Sequence, residues 1–118
     1  MSGSSFSDSS ERILLRFSNK MTRLIVEIEE IKGNCVVFKG NEKIIIEGAE
    51  IKLEETDKIC IHALQSILHY AVALREGVDP KKLGLAKEGD VAYVQCLDPG
   101  EPYTSGGTVV FRIRRVDK

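Results

Sequence analysis

The stretch "TDKICIHALQSILHYAVALREG" (56–77) decides the fold. Before it, apolar residues alternate. Within it they recur every three or four positions, at Ile61, Leu64, Leu68 and Ala71, with Ile67 and Leu74 beside them. That spacing predicts an amphipathic helix. Thr56 or Asp57 has the short polar side chain of an N-cap. Arg75 falls in the last turn, and Gly77 suits the residue just past the end. The predicted helix covers 57–76, about 30 Å at 1.5 Å per residue. No other segment reads as a long helix.

Strands flank it on both sides. "RLIVEIEEI" (23–31) alternates, with Leu24, Val26 and Ile28 on one face and Ile25, Glu27 and Glu29 on the other, the pattern of a half-buried strand. "CVVFK" (35–39) reads as a second strand and "KIIIEG" (43–48) as a third, with Gly40-Asn41 suited to a tight turn between them. "EIKLE" (50–54) is a further short strand or a continuation. After the helix, "VDPKKLGLAKEGD" (78–90) is a connection, with Asp79 capping one turn that opens at Pro80. "VAYVQC" (91–96) and "TVVFRIRRV" (108–116) are the last two strands. The order β-β-β-α-β-β predicts an α+β domain: a small antiparallel or mixed sheet with the helix packed on one face. Glu27 and Glu29 oppose Arg112 and Arg114 in sign, which predicts that the first and last strands are neighbours. One helix covers one sheet face, so the other face is expected to be buried in a homodimer.

Residues 1–20, "MSGSSFSDSSERILLRFSNK", open with low-complexity polar sequence. They are expected to form a disordered or loosely ordered extension, with the domain at 21–118.

Bulk composition narrows the class. The chain has 118 residues, 42% of them hydrophobic and 30% charged, enough for one compact domain. A net charge of −1 gives no general pull toward nucleic acid or an anionic membrane. The basic run Arg112, Arg114, Arg115 and Lys118, with Tyr93 or Tyr103, could touch RNA, but facing acids neutralise it. No apolar run approaches the roughly eighteen residues that span a bilayer. The three cysteines, Cys35, Cys60 and Cys96, are odd in number and widely spaced, which argues against a disulfide framework. With no signal-peptide pattern at the start, the expected location is the cytoplasm, with free thiols. High Ile, Val, Glu and Lys with little Gln or Asn points toward a thermophile.

Two regions carry chemistry. The first is the loop "LDPGEPYTSGG" (97–107), eleven residues where a hairpin usually turns in about two to five. Tyr103, Thr104, Ser105 and Gly106 offer hydroxyls and backbone N–H groups to an anion, and Asp98 can shape the loop through its side chain. The second is the cysteine set. Cys60 falls in the first turn of the predicted helix, where thiol chemistry is favoured, and Cys35 and Cys96 sit at strand ends that could converge on it. Three thiols could also ligate zinc or an iron–sulfur cluster, although no Cys-x-x-Cys pair is present. His62 and His69 share a helix face with Ser66, about 10 Å apart along the axis, which is too far for one metal ion. They read as a polar stripe. No nucleophile elbow, phosphate-binding loop, dinucleotide fingerprint or His-Glu-x-x-His occurs.

The segments "KICIHALQSILHYAVALREG" and "VQCLDPGEPYTSGGTVVFRIRR" together resemble a family of small uncharacterised bacterial and archaeal proteins. Its members carry a Cys after the first strand, a Cys opening the central helix, a Cys-x-Asp near the C-terminus and a final Val-Val-Phe-x-Ile-x-Arg. Cys35, Cys60, Cys96 with Asp98, and "VVFRIRR" fall at those places, and the match covers 23–116. Ile61 and Leu97 depart from it, since relatives often carry Pro after those cysteines. The resemblance implies a shared fold and brings no established activity.

The expectation is therefore a small domain that binds a small molecule or a protein partner at the 97–107 loop and the helix N-terminus, through Cys60, Cys96, Asp98, Tyr103, Thr104, Ser105 and Gly106. No cofactor is assigned. The alternative is a thiol-based or metal-dependent protein built on Cys35, Cys60 and Cys96.

Overall fold

The computed structural model describes residues 22–117. The expected extension at 1–20 lies outside the described residues. Five strands form one antiparallel sheet: β1 (Thr22–Gly33), β2 (Lys43–Glu47), β3 (Glu50–Ile51), β4 (Ala92–Gln95) and β5 (Gly107–Asp117), in the spatial order β3-β2-β1-β5-β4. One helix, α1 (Ile61–Arg75), packs on it. The α+β class is as the sequence predicts; the order β-β-β-α-β-β also appears, with Glu50–Ile51 as the third strand before the helix in place of 35–39.

The core lies between sheet and helix. Leu24, Val26 and Ile28 of β1, Ile44 and Ile46 of β2, Ala92 and Val94 of β4, and Val109, Phe111 and Ile113 of β5 face the helix and are buried. The helix answers with Ala63, Ile67, Ala71 and Leu74. Two alanines in that set let the helix axis approach the sheet, while Ile67 and Leu74 each contribute about 2 kcal/mol of burial. This corrects the predicted stripe: Ile67, Ala71 and Leu74 point in, whereas Ile61 and Leu68 are exposed, at 75% and 45%.

β1 alternates cleanly as far as Ile28. There Glu29 bulges out of the pairing with β5: Ile28 opposes Phe111, and Glu30 opposes Val110. The bulge lets Ile31, rather than Glu30, pack against the core.

The segment 35–39 is not a strand. It is an irregular loop that drops Phe38 into the core, edge-on to Phe111 with ring centroids 5.4 Å apart, and leaves Val36 exposed. Its alternation imitates a strand because a wedge also needs one apolar side chain in and its neighbours out. Thr56 and Asp57 do not cap the helix. The Ile45 N–H donates to Thr56 Oγ1 and the Lys43 N–H to Asp57 Oδ2, both at 3.0 Å. These side chains replace the missing length of β3 and close the edge of β2. The helix starts three residues later, at Cys60.

The open face of the sheet is ionic. Arg23 donates to Glu47 at 2.6 Å and to both carboxylate oxygens of Glu55. Arg112 and Arg114 both reach Glu27 Oε1, at 3.3 and 3.2 Å, and Arg112 also reaches Glu29. The predicted adjacency of first and last strands is thereby present in register, Glu27 opposite Arg112. The hydrogen bond from Arg114, foremost, keeps the Glu27 carboxyl below the ordinary range.

Candidate functional site

At the N-terminal end of α1 the chain forms a half-open cavity of about 110 Å³. Four segments meet there: the loop 34–38, the start of the helix, the end of β4 with its following residues, and the start of β5. All three cysteines line it, together with His62 and Asp98. Val37, Phe38 and Val109 supply apolar wall. The cysteines are free; Cys35 and Cys60 are half-buried and Cys96 is buried.

Local chemistry builds each wall. Cys96 directly follows β4: its N–H donates to the Val109 carbonyl at 3.0 Å, and its sulfur accepts the Val109 N–H at 3.3 Å. The Cys35 sulfur accepts the Phe38 N–H at 3.4 Å, which turns the 34–38 loop back toward the core. Cys60 is the N-cap residue of α1, extended at φ −118° and ψ 132°, and its side chain makes no capping bond. Its carbonyl accepts the Ala63 and Leu64 N–H groups.

The long loop is ordered by Asp98. Oδ1 accepts the Gly100 N–H at 2.9 Å and the Thr104 hydroxyl, and the Asp98 carbonyl accepts the Thr108 hydroxyl at 2.7 Å. The Thr104 hydroxyl first, then the Gly100 N–H and nearby His62, hold the Asp98 carboxyl below the ordinary range, against a partial desolvation penalty. The Leu97 N–H donates to the His62 carbonyl at 2.9 Å, tying the loop to the first turn of the helix.

Two glycines let the walls close. A Cβ on Gly107 would lie 2.7 Å from the Lys32 carbonyl oxygen, 2.8 Å from the Asn34 nitrogen and 2.9 Å from the Cys35 nitrogen. A Cβ on Gly106 would strike the Asp98 carboxylate.

Of the residues singled out in the sequence, Cys35, Cys60, Cys96, Asp98 and Gly106 come together. Tyr103, Thr104 and Ser105 do not line the cavity. They are exposed, Tyr103 at 80%, and Thr104 serves the loop through Asp98. His62, read as part of a polar stripe, belongs to the cavity, while His69 packs edge-on against Tyr70. Among the described residues no group of three or more His, Cys, Asp or Glu side chains is placed to hold a metal ion.

Two larger clefts exist and lack this chemistry. One, of about 590 Å³, lies past the C-terminal end of α1, and its cations are already engaged: Arg115 with the Arg75 carbonyl and Asp117, Arg114 with Glu27, and Lys81 with Asp79. The other, of about 450 Å³, runs between α1 and β4 along Ser66, His69 and Tyr93.

Comparison with protein-family models, with curated proteins and with solved structures finds no match for the chain. Among the described residues no helix is long and apolar enough to cross a membrane.

Proposed function

We propose that the domain binds a small ligand in the cavity between the helix N-terminus and the loop that follows β4. One observation carries the reading. Three thiols from three separate parts of the chain, an imidazole and a carboxylate line one half-open pocket, alongside apolar side chains. Ligand sites have this mixture of apolar wall and few polar groups. Three unoxidised thiols in one cavity also suit a reducing compartment, in keeping with a cytoplasmic location.

At about 110 Å³, and open to solvent beside the exposed His62, the pocket suits a small ligand. The loop 97–107 forms the rim. A metal or iron–sulfur centre on Cys35, Cys60 and Cys96 draws no support from the placement of the side chains.

Amide chemical shifts of the isotopically labelled full chain, recorded against a panel of small ligands, test the reading. Shifts confined to Cys35, Cys60, Cys96, Gly106 and their neighbours are expected. Ligands that perturb only the α1–β4 cleft would move the site there and refute it.

A further inference from the structure

We infer that the outer face of α1 docks a second copy of this chain, with the two helices packed antiparallel across a two-fold axis. The helix stands out by what it lacks. The chain is 30% charged, yet residues 61–74 contain no Asp, Glu, Lys or Arg. A helix with one face in water ordinarily carries charged residues there. Here Ile61, Leu68 and Val72 occupy that face, exposed at 75%, 45% and 60%, with exposed Gln65 among them. The four fall within about 60° of arc at 3.6 residues per turn, so they form one stripe. Past His69 the surface continues into the open cleft beside β4, where Tyr93 and Leu97 are also exposed.

The spacing points to the occupant. Ile61, Gln65, Leu68 and Val72 are separated by four, three and four residues, a pattern that reads the same in either direction. A two-fold axis demands such self-complementarity, because a residue that meets another across the axis is met by it in return. In the antiparallel arrangement Ile61 meets Val72 of the partner subunit, and Gln65 meets Leu68 of the partner subunit beside the axis. Alternating steps of four and three are also the seam along which helices pack. The stripe offers an acidic or basic partner no charge to complement. It also lacks the flanking cations of a helix that lies on a membrane, since Arg75 is held by Glu76 and the Gly48 carbonyl. The domain's other broad face, the open side of the sheet, carries ion pairs that a dry contact would have to desolvate.

The area sets the strength. The helix is about 22 Å long, and the surface from the stripe across the cleft is about 20 Å wide, from the rise per residue and the spacing of packed elements. That offers roughly 450 Å² per copy, so the dimer buries about 900 Å², the size of a weak, reversible association.

Sedimentation equilibrium of the full chain tests the inference. The mass is expected to rise from monomer toward dimer with a midpoint on the order of 100 µM. Leu68→Glu sets two carboxylates beside the axis and is expected to weaken association at least about tenfold. Ile61→Glu is expected to do the same. Combining Ile61→Glu with Val72→Lys in one chain is expected to regain most of the loss, because the register sets each introduced acid against an introduced base of the other copy. Within one helix these positions are about 16 Å apart and do not pair. All three are exposed, so the far-UV circular dichroism of each variant is expected to match the parent. A chain that stays monomeric at about tenfold higher concentration overturns the inference. So does a dimer that Leu68→Glu leaves intact, or a double variant that associates no better than Ile61→Glu alone. Recruitment of a monomeric chain to anionic lipid vesicles would assign the face to lipid and overturn it as well.

Discussion

The two ends of the helix are finished differently. At the C-terminus every device for closing a helix is present. The Gly77 N–H donates to the Leu74 carbonyl and the Val78 N–H to the Ala73 carbonyl, both at 3.0 Å, the paired bonds of a Schellman motif. Gly77 takes the required left-handed conformation at φ +88°. Arg115 then donates to the Arg75 carbonyl at 2.9 Å. At the N-terminus the cap residue is a cysteine that caps nothing, and the first turn contains no acid. A chain that can complete one end so fully has left the other open where three thiols gather. Local rules of stability tend to be broken where a protein does its work.

Each substitution below breaks or sharpens that contrast. Gly107→Ala is expected to have the largest effect. Its Cβ would meet three backbone atoms at 2.7 to 2.9 Å, none of which can swing aside. A loss of about 3 kcal/mol in urea unfolding is expected, with the thiol cavity deformed even where the helix persists. Gly77→Ala strikes the other end and costs about 1 to 2 kcal/mol for a side chain in left-handed backbone, with no change in thiol reactivity. Cys60→Ser runs in the opposite direction. A hydroxyl at the N-cap is expected to stabilise the domain by about 1 kcal/mol in thermal or urea unfolding. A fall in stability would mean that the cysteine is there for packing.

The smallest effect is local and depends on pH. The Asp98 carboxyl titrates lower in the folded chain than in the unfolded one. Its contribution is therefore complete above the unfolded value of about 4 and is lost as pH falls through the folded value. Amide exchange at Gly100 and Thr104 should quicken below that point, while the Gly77 end of the helix stays unchanged. Equal quickening at both ends would show that the loop has no separate lock.

The sequence made the long elements legible because they follow a single rule each. β1 and β5 alternate, and Ile67, Ala71 and Leu74 keep a helical period. The errors fall where one residue type serves two structures. Thr56 and Asp57 have the short acceptor side chains of helix caps, yet they satisfy the β2 edge. "CVVFK" alternates like a strand, yet Phe38 is a wedge. Cys60, Cys96 and Asp98 were legible at the site because the long loop and the helical period were, although the helix begins at Ile61 rather than at 57. The presence of His62 and Phe38 was not. Whether a helical histidine faces solvent or a cavity depends on the chain brought opposite it. Here that chain is the 34–38 loop, more than twenty residues upstream.

The bulge at Glu29 has a consequence for how the cavity could change over time. A strand is a two-sided ribbon, and one extra residue exchanges its sides from that point onward. Were Glu29 paired with Val110 rather than bulged, Glu30 would turn inward, Ile31 would turn to solvent, and Gly33 would no longer stand opposite Gly107. Cys35, two residues further on, would be carried away from the other thiols. The bulge, more than the Glu29 carboxylate, sets the register that keeps three distant cysteines in one place.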